Sequence, residues 1–166
     1  MNHRRPPRIQ GFHYQGPCVY FLTVCTFRRR QWFEYENCAT QAIAELLRTS
    51  KDYGFAVLTY CLMPDHLHCL VEGLRADSNC VKWIAMFKQR SAFRHARSHR
   101  ERLWQEGYFE RVLRPDDDCV GIAAYIVANP IRAGLCHALA DYPYLGSDRY
   151  TIAQLSEAIQ MHPWRK

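Results

Sequence analysis

The chain has 166 residues, the size of one domain spanning 1–166. Its 48% hydrophobic and 23% charged residues make an ordinary globular composition and exclude a disordered or fibrous chain. A net charge of +6 and a pI of about 9.0 favour a polyanionic partner, nucleic acid or anionic membrane, although a solubilising surface charge would read the same way. No run approaches the ~20 apolar residues of a membrane-spanning helix.

Residues 1–11 are a basic arm, and no signal-like apolar run follows Met1–Arg8, so a soluble intracellular protein is expected. Val19–Phe27 is rich in β-branched and aromatic residues and reads as a strand; Arg28, Arg29 and Arg30 follow at once. Residues 37–51 carry Ala39, Ile43, Leu46 and Leu47 at helical spacing, with Asn37 as the expected N-cap. Phe55–Leu62 and His66–Glu72 read as two strands of a hairpin, turned at Met63-Pro64-Asp65, because proline fixes its own φ and offers no N–H to a central ladder. Ser78 or Asn79 can cap a helix running to about His99, with Trp83, Met86, Phe87 and Phe93 as its apolar stripe. Tyr108–Leu113 alternates as a fourth strand. Pro115 and Asp116–Asp118 open a helix through Ile122, Tyr125 and Ile126, expected to end at Asn129 before Pro130. Thr151–Gln160 reads as a C-terminal helix, with 151–166 forming helix and tail. The order β-α-β-β-α-β followed by helices predicts an α+β fold of the ferredoxin-like, split β-α-β kind, with an antiparallel sheet and helices on one face.

The eight cysteines form no C-x-x-C pair, which argues against a cysteine zinc site. Without a signal segment they are expected as reduced thiols, with Cys25, Cys61 and Cys69 as core residues.

His66 and His68 share one face of their strand, roughly 6.6 Å apart along it, so both imidazoles can converge on one metal ion at about 2.1 Å. Tyr125 and Asn129 share a helix face at i and i+4. If that face covers the third strand, Asn129 can add an amide oxygen. Two imidazoles and an oxygen suit Mg²⁺ or, better, Mn²⁺, which would polarise a scissile phosphate. A cation close by would also help the Tyr125 phenol lose its proton and act as nucleophile. Taken singly, each of these residues also reads as an ordinary polar or core side chain. Lys82, Lys88, Arg90, Arg94, Arg97, Arg100 and Arg102 make a one-signed run fit for phosphate contact, and His95 and His99 are read as part of that face although their spacing can bind metal. Trp104, Tyr108, Phe109, Arg111 and Arg114 interleave aromatic and basic groups on which bases can stack.

Met63-Pro64-Asp65-His66-Leu67-His68, Phe87-Lys88, Leu103–Phe109 and Tyr125–Leu135, in this order and spacing, resemble the single-tyrosine HUH transposases and, more narrowly, the REP-associated tyrosine transposases, over about Tyr20 to Tyr150. The resemblance implies that His66, His68 and Asn129 bind the metal, Asn129 standing where other superfamily members carry glutamine, and that Tyr125 is the nucleophile. It implies attack on single-stranded DNA beside a hairpin in a repetitive extragenic palindrome. A 5′-phosphotyrosine link and a free 3′-hydroxyl result, with no nucleotide cofactor. Contacts to DNA are expected from Arg28, Arg29, Arg30, Lys88, Arg90, Arg94, Arg97, Trp104, Arg111 and Arg114. A monomer is favoured over a homodimer, in the bacterial cytoplasm with the nucleoid and not at a membrane. The competing readings are a non-catalytic DNA-binding protein on the same fold and a hydrolase in which water attacks and Tyr125 is structural.

Overall fold

The computed structural model of the chain describes residues 11–161; the basic arm before Gly11 and the tail after Met161 lie outside the described residues. Five strands, β1 (Val19–Cys25), β2 (Phe55–Met63), β3 (His66–Gly73), β4 (Phe109–Leu113) and β5 (Leu145–Gly146), form one antiparallel sheet in the order β4-β1-β3-β2-β5. The first four have the ferredoxin-like order, and β5 adds a short edge beyond the expected set. The hairpin of β2 and β3 turns at Pro64 and Asp65, with Met63 paired to His66.

The helices are α1 (Glu36–Tyr53), α2 (Cys80–His99), α3 (Cys119–Arg132) and α4 (Ile152–Met161). Asn79 caps α2 by accepting from the Lys82 N–H, and Asp118 caps α3 by accepting from Gly121. At α1 the expected Asn37 cap gives way to Tyr35, two residues earlier, which makes no side-chain cap bond. That helix ends on Gly54 at φ 70°, a left-handed position that glycine takes without a Cβ clash.

Strand alternation sorts the sheet into two faces. Tyr20, Leu22 and Val24 of β1 and Leu67, Cys69 and Val71 of β3 are fully buried beneath α1 and α2, with Trp83, Ile84 and Phe87. Two serines answer two of the indole donors of this layer. Trp83 Nε1 donates to Ser50 Oγ on α1 (3.0 Å), and Trp104 Nε1 to Ser91 Oγ on α2 (2.9 Å). The opposite face carries Cys61, Met63 and Leu70, covered by Ala124, Ile126 and Val127 of α3, with Leu155 of α4 alongside. The two long helices α1 and α2 thus share one face, as the element order implies, and α3 and α4 cover the other. A bulge at Leu58 shifts the phase of β2, so that Val57 and Tyr60 both face α1 and α2. Phe93, expected in the apolar stripe, is 66% exposed. No disulfide links the eight cysteines; Cys61 and Cys69 are buried, but Cys25 is only half-buried.

Candidate functional site

His66 and His68 stand on the α3 face of β3, because Leu67 between them is buried on the other. Strand register surrounds them: Cys25 and Met63 flank His66, and Thr23 and Cys61 flank His68. The two Nε2 atoms approach to 3.1 Å. Each ring is held from behind. His66 Nδ1 lies 2.6 Å from Asp65 Oδ1, and His68 Nδ1 lies 2.8 Å from Thr23 Oγ1. A proton on each Nδ1 satisfies both acceptors and leaves both Nε2 lone pairs directed at the same point, the arrangement that supporting carboxylates and hydroxyls impose on metal-binding imidazoles. Burial, then the neighbouring His66 and the Arg29 guanidinium, holds His68 down to about 3. Burial lowers His66 as well, against the pull of Asp65. Both rings are therefore neutral at pH 7, the form that binds a cation. Two ligands at about 2.1 Å from one ion, at right angles, lie about 3.0 Å apart, so the pair fits a divalent cation without rearrangement.

Tyr125 projects from α3 over this pair within the same chain. Its ring centroid is 6.0 Å from that of His68 and 6.3 Å from that of Phe21, which itself stacks on His68 at 5.8 Å. Arg132, two turns on, lies 5.1 Å over the Tyr125 ring, and the tyrosine is 40% exposed. Phe21, Phe109, Arg111, Asp118, Ile122 and Tyr125 line a cleft of about 400 Å³ beside it.

Asn129 follows one turn after Tyr125. Its Nδ2 donates to the carbonyls of Tyr125 (2.8 Å) and Ile126 (3.2 Å). This explains why α3 does not stop at Asn129 but continues to Arg132 with Pro130 inside it. Proline offers no N–H to the Ile126 carbonyl, and the amide of Asn129 takes its place. With the nitrogen committed, Oδ1 is the atom left to face a ligand. Asn129→Asp keeps an oxygen but loses the donor. Both Asn129→Asp and Asn129→Ala are expected to lower the stability of the chelator-treated protein by about 1 kcal/mol in urea unfolding, while only Asn129→Ala also weakens Mn²⁺ binding. Equal stability of both variants and the parent would remove the proposed role of the amide.

The other sequence candidates scatter. Arg29, though exposed, pairs with Asp65 at 2.7 Å and touches Cys25 Sγ, so it borders the histidines. Arg28 is exposed beside Phe27, and Arg30 is paired with Glu101. Arg28 and Arg29 both have φ of 56°, a strained position for residues with a Cβ. Arg90 pairs with Asp52 and Arg94 with Glu45, each at 2.6 Å; Arg97 is exposed beside them. Arg111 pairs with Asp117 at 2.6 Å on the rim of the cleft, and Arg114 is exposed at the end of β4. Two expectations are corrected. Trp104 is a core residue, 3% exposed against Phe33 and Phe87, and has no open face for a base. The Lys88 ammonium donates to the carbonyls of Gln105 (2.8 Å) and Gly107 (2.7 Å), which makes it a loop staple first. Thr23, Asp65 and Phe21 border the site although sequence patterning marks none of them as a site residue. Asp65 adjoins His66 in the chain, but Thr23 and Phe21 emerge only once the strand register is known.

A ferredoxin-like sheet thus carries a paired-histidine strand under a tyrosine helix, and the family that matches this chain is one of DNA transposases. The chain belongs to the family described as "Transposase IS200 like", whose model matches residues 15–129, and it is an enzyme of that strand-transferring kind. It is 27% identical over 150 residues to a Haemophilus influenzae protein named "Putative REP-associated tyrosine transposase", covering 82% of this chain and 84% of that one. It is 28% identical over 102 residues to the REP-associated tyrosine transposase of Escherichia coli K12, covering 60% and 58% of the two chains. A solved structure of a REP-associated tyrosine transposase bound to a REP hairpin superposes with a TM-score of 0.70 at 20% identity, over 84% of this chain and 82% of that one. No helix among the described residues is long and apolar enough to cross a membrane.

Proposed function

We propose that the chain cuts and rejoins single-stranded DNA at hairpins of the repetitive extragenic palindrome type, through a covalent bond between Tyr125 and a 5′-phosphate. One observation carries the reading: two neutral, backed imidazoles aim their Nε2 atoms at one point beneath the Tyr125 ring. His66 and His68 would hold a Mg²⁺ or Mn²⁺ ion, with Asn129 Oδ1 as third ligand. When bound, such an ion polarises the scissile phosphate and favours ionised phenol. Tyr125 Oη attacks phosphorus as it loses its proton, the bond to the 3′-oxygen breaks, and that oxygen leaves as a free 3′-hydroxyl. The reverse attack by a 3′-hydroxyl regenerates the tyrosine and joins the strands, so no nucleotide cofactor is consumed.

The hairpin substrate is carried over from the structural relative, which holds one. Phe21, Phe109 and Arg111 offer aromatic and cationic surface next to the tyrosine for an unpaired nucleotide. Because Tyr125 and the histidines meet within one chain, the site requires no exchange of helices, which supports a monomer.

The test is a labelled palindromic hairpin with single-stranded flanks, incubated with the protein and Mn²⁺ or Mg²⁺, then denatured and electrophoresed. Label migrating with the protein is expected. Binding without an adduct in either metal would leave the chain a DNA-binding protein on a transposase fold.

A further inference from the structure

On the other side of the sheet from His66 and His68, a second group of donor side chains meets. Cys38 sits in the first turn of α1, and His95 and His99 in the last turns of α2. Cys38 Sγ lies 3.9 Å from His95 Nδ1 and 3.7 Å from His99 Nε2, and one ligand atom from each of the three residues lies within 4.8 Å of the other two. A tetrahedral ion with bonds of about 2.3 Å to sulfur and about 2.1 Å to nitrogen separates those atoms by about 3.6 Å. The observed spacings are therefore close to those of a ligand set.

The surroundings favour the same reading. Cys38 is 7% and His95 4% exposed, and the two imidazoles stack at 4.4 Å. The Trp32 ring covers both at 4.5 and 5.0 Å. His99 Nδ1 lies 3.3 Å from the His95 carbonyl, which accounts for its proton and turns the Nε2 lone pair to the sulfur. With His95 Nδ1 turned to the Cys38 sulfur, the ring proton stands on Nε2, which is buried without a hydrogen-bond partner among the described residues.

We propose that Cys38, His95 and His99 form a second metal site, for a borderline-soft divalent cation of the zinc type, that pins the start of α1 to the end of α2. A thiol and two imidazoles select zinc over magnesium, which prefers oxygen ligands. On binding, the Cys38 S–H bond breaks, its proton goes to the buffer, and sulfur bonds to the ion; no electron changes hands. Water completes the fourth position. The clamp orders the end of α2, where Arg94, Arg97 and Arg100 stand, and is separate from the cation proposed at His66 and His68.

The reduced, chelator-stripped full chain is titrated with Co²⁺ as a spectroscopic stand-in for zinc. A thiolate-to-cobalt charge-transfer band saturating at one equivalent is expected, alike in the parent and in a His66→Ala/His68→Ala double variant. One equivalent of Zn²⁺ should displace it and raise the melting temperature. Cys38→Ser should lose the band. Since a buried substitution can unfold the chain, the partly exposed His99→Ala is measured beside it, with far-ultraviolet circular dichroism as the check on folding, and should bind Co²⁺ at least about tenfold more weakly. Absence of the band in the parent chain overturns the proposal, and so does a band unchanged in both variants.

Discussion

Tyr125→Phe is expected to abolish strand cleavage and the covalent adduct, a loss of at least about 10³-fold, as follows when a nucleophile is removed. Hairpin affinity should stay within about twofold, because the substitution removes one oxygen and keeps the ring. The ring makes the contacts to His68, Phe21 and Arg132, and phenylalanine keeps them all. At 40% exposure the hydroxyl is no buried polar anchor, so unfolding stability should change by less than about 0.5 kcal/mol. Cleavage and binding, measured on the same labelled hairpin, therefore separate cleanly in this variant. Cleavage persisting at the parent rate would assign the attack to water and leave Tyr125 a structural aromatic.

His68→Ala produces the second large effect. It removes one of the two facing Nε2 atoms and leaves Thr23 Oγ1 without its partner. A single imidazole on the strand does not chelate. Loss of a supporting partner alone commonly weakens a metal site by about 10–100-fold, and loss of a ligand should exceed that. Calorimetric Mn²⁺ titration should show binding weakened by more than about 100-fold, with cleavage falling in step. Chelator treatment of the parent should reproduce the loss, and added Mn²⁺ should reverse it only in the parent. Thr23→Val, which removes the prop and not the ligand, should fall between the two. Unchanged Mn²⁺ affinity in His68→Ala would take the histidine pair out of the mechanism.

Period-two alternation made the shared face of His66 and His68 legible in the sequence, and the i, i+4 spacing did the same for Tyr125 and Asn129. The element order named the split β-α-β sheet. Which helices would cover which face was not legible, because β2 is apolar on both sides and the alternation of β3 does not say which helix lies over its histidines. The bulge at Leu58 leaves no mark in composition. Basic residues in a run look equivalent on paper, yet Lys88 is held by carbonyls and Arg94 by the nearly buried Glu45. Proline after Asn129 signalled a helix end; the amide that replaces the missing N–H could not be foreseen without geometry. Cys38 stands 57 and 61 residues from His95 and His99, and no short-range spacing rule connects them.

Leu67 lies fully buried between the two imidazoles, and its side chain fills the layer beneath α1 and α2. One strand thus serves two masters, sealing the interior downward and gripping an ion upward. The stretch of strand that carries both rings is anchored in the interior by that leucine. A smaller residue at 67 would register twice, as a hollow in the interior and as a slackened hold on the cation, although its own atoms never come near it.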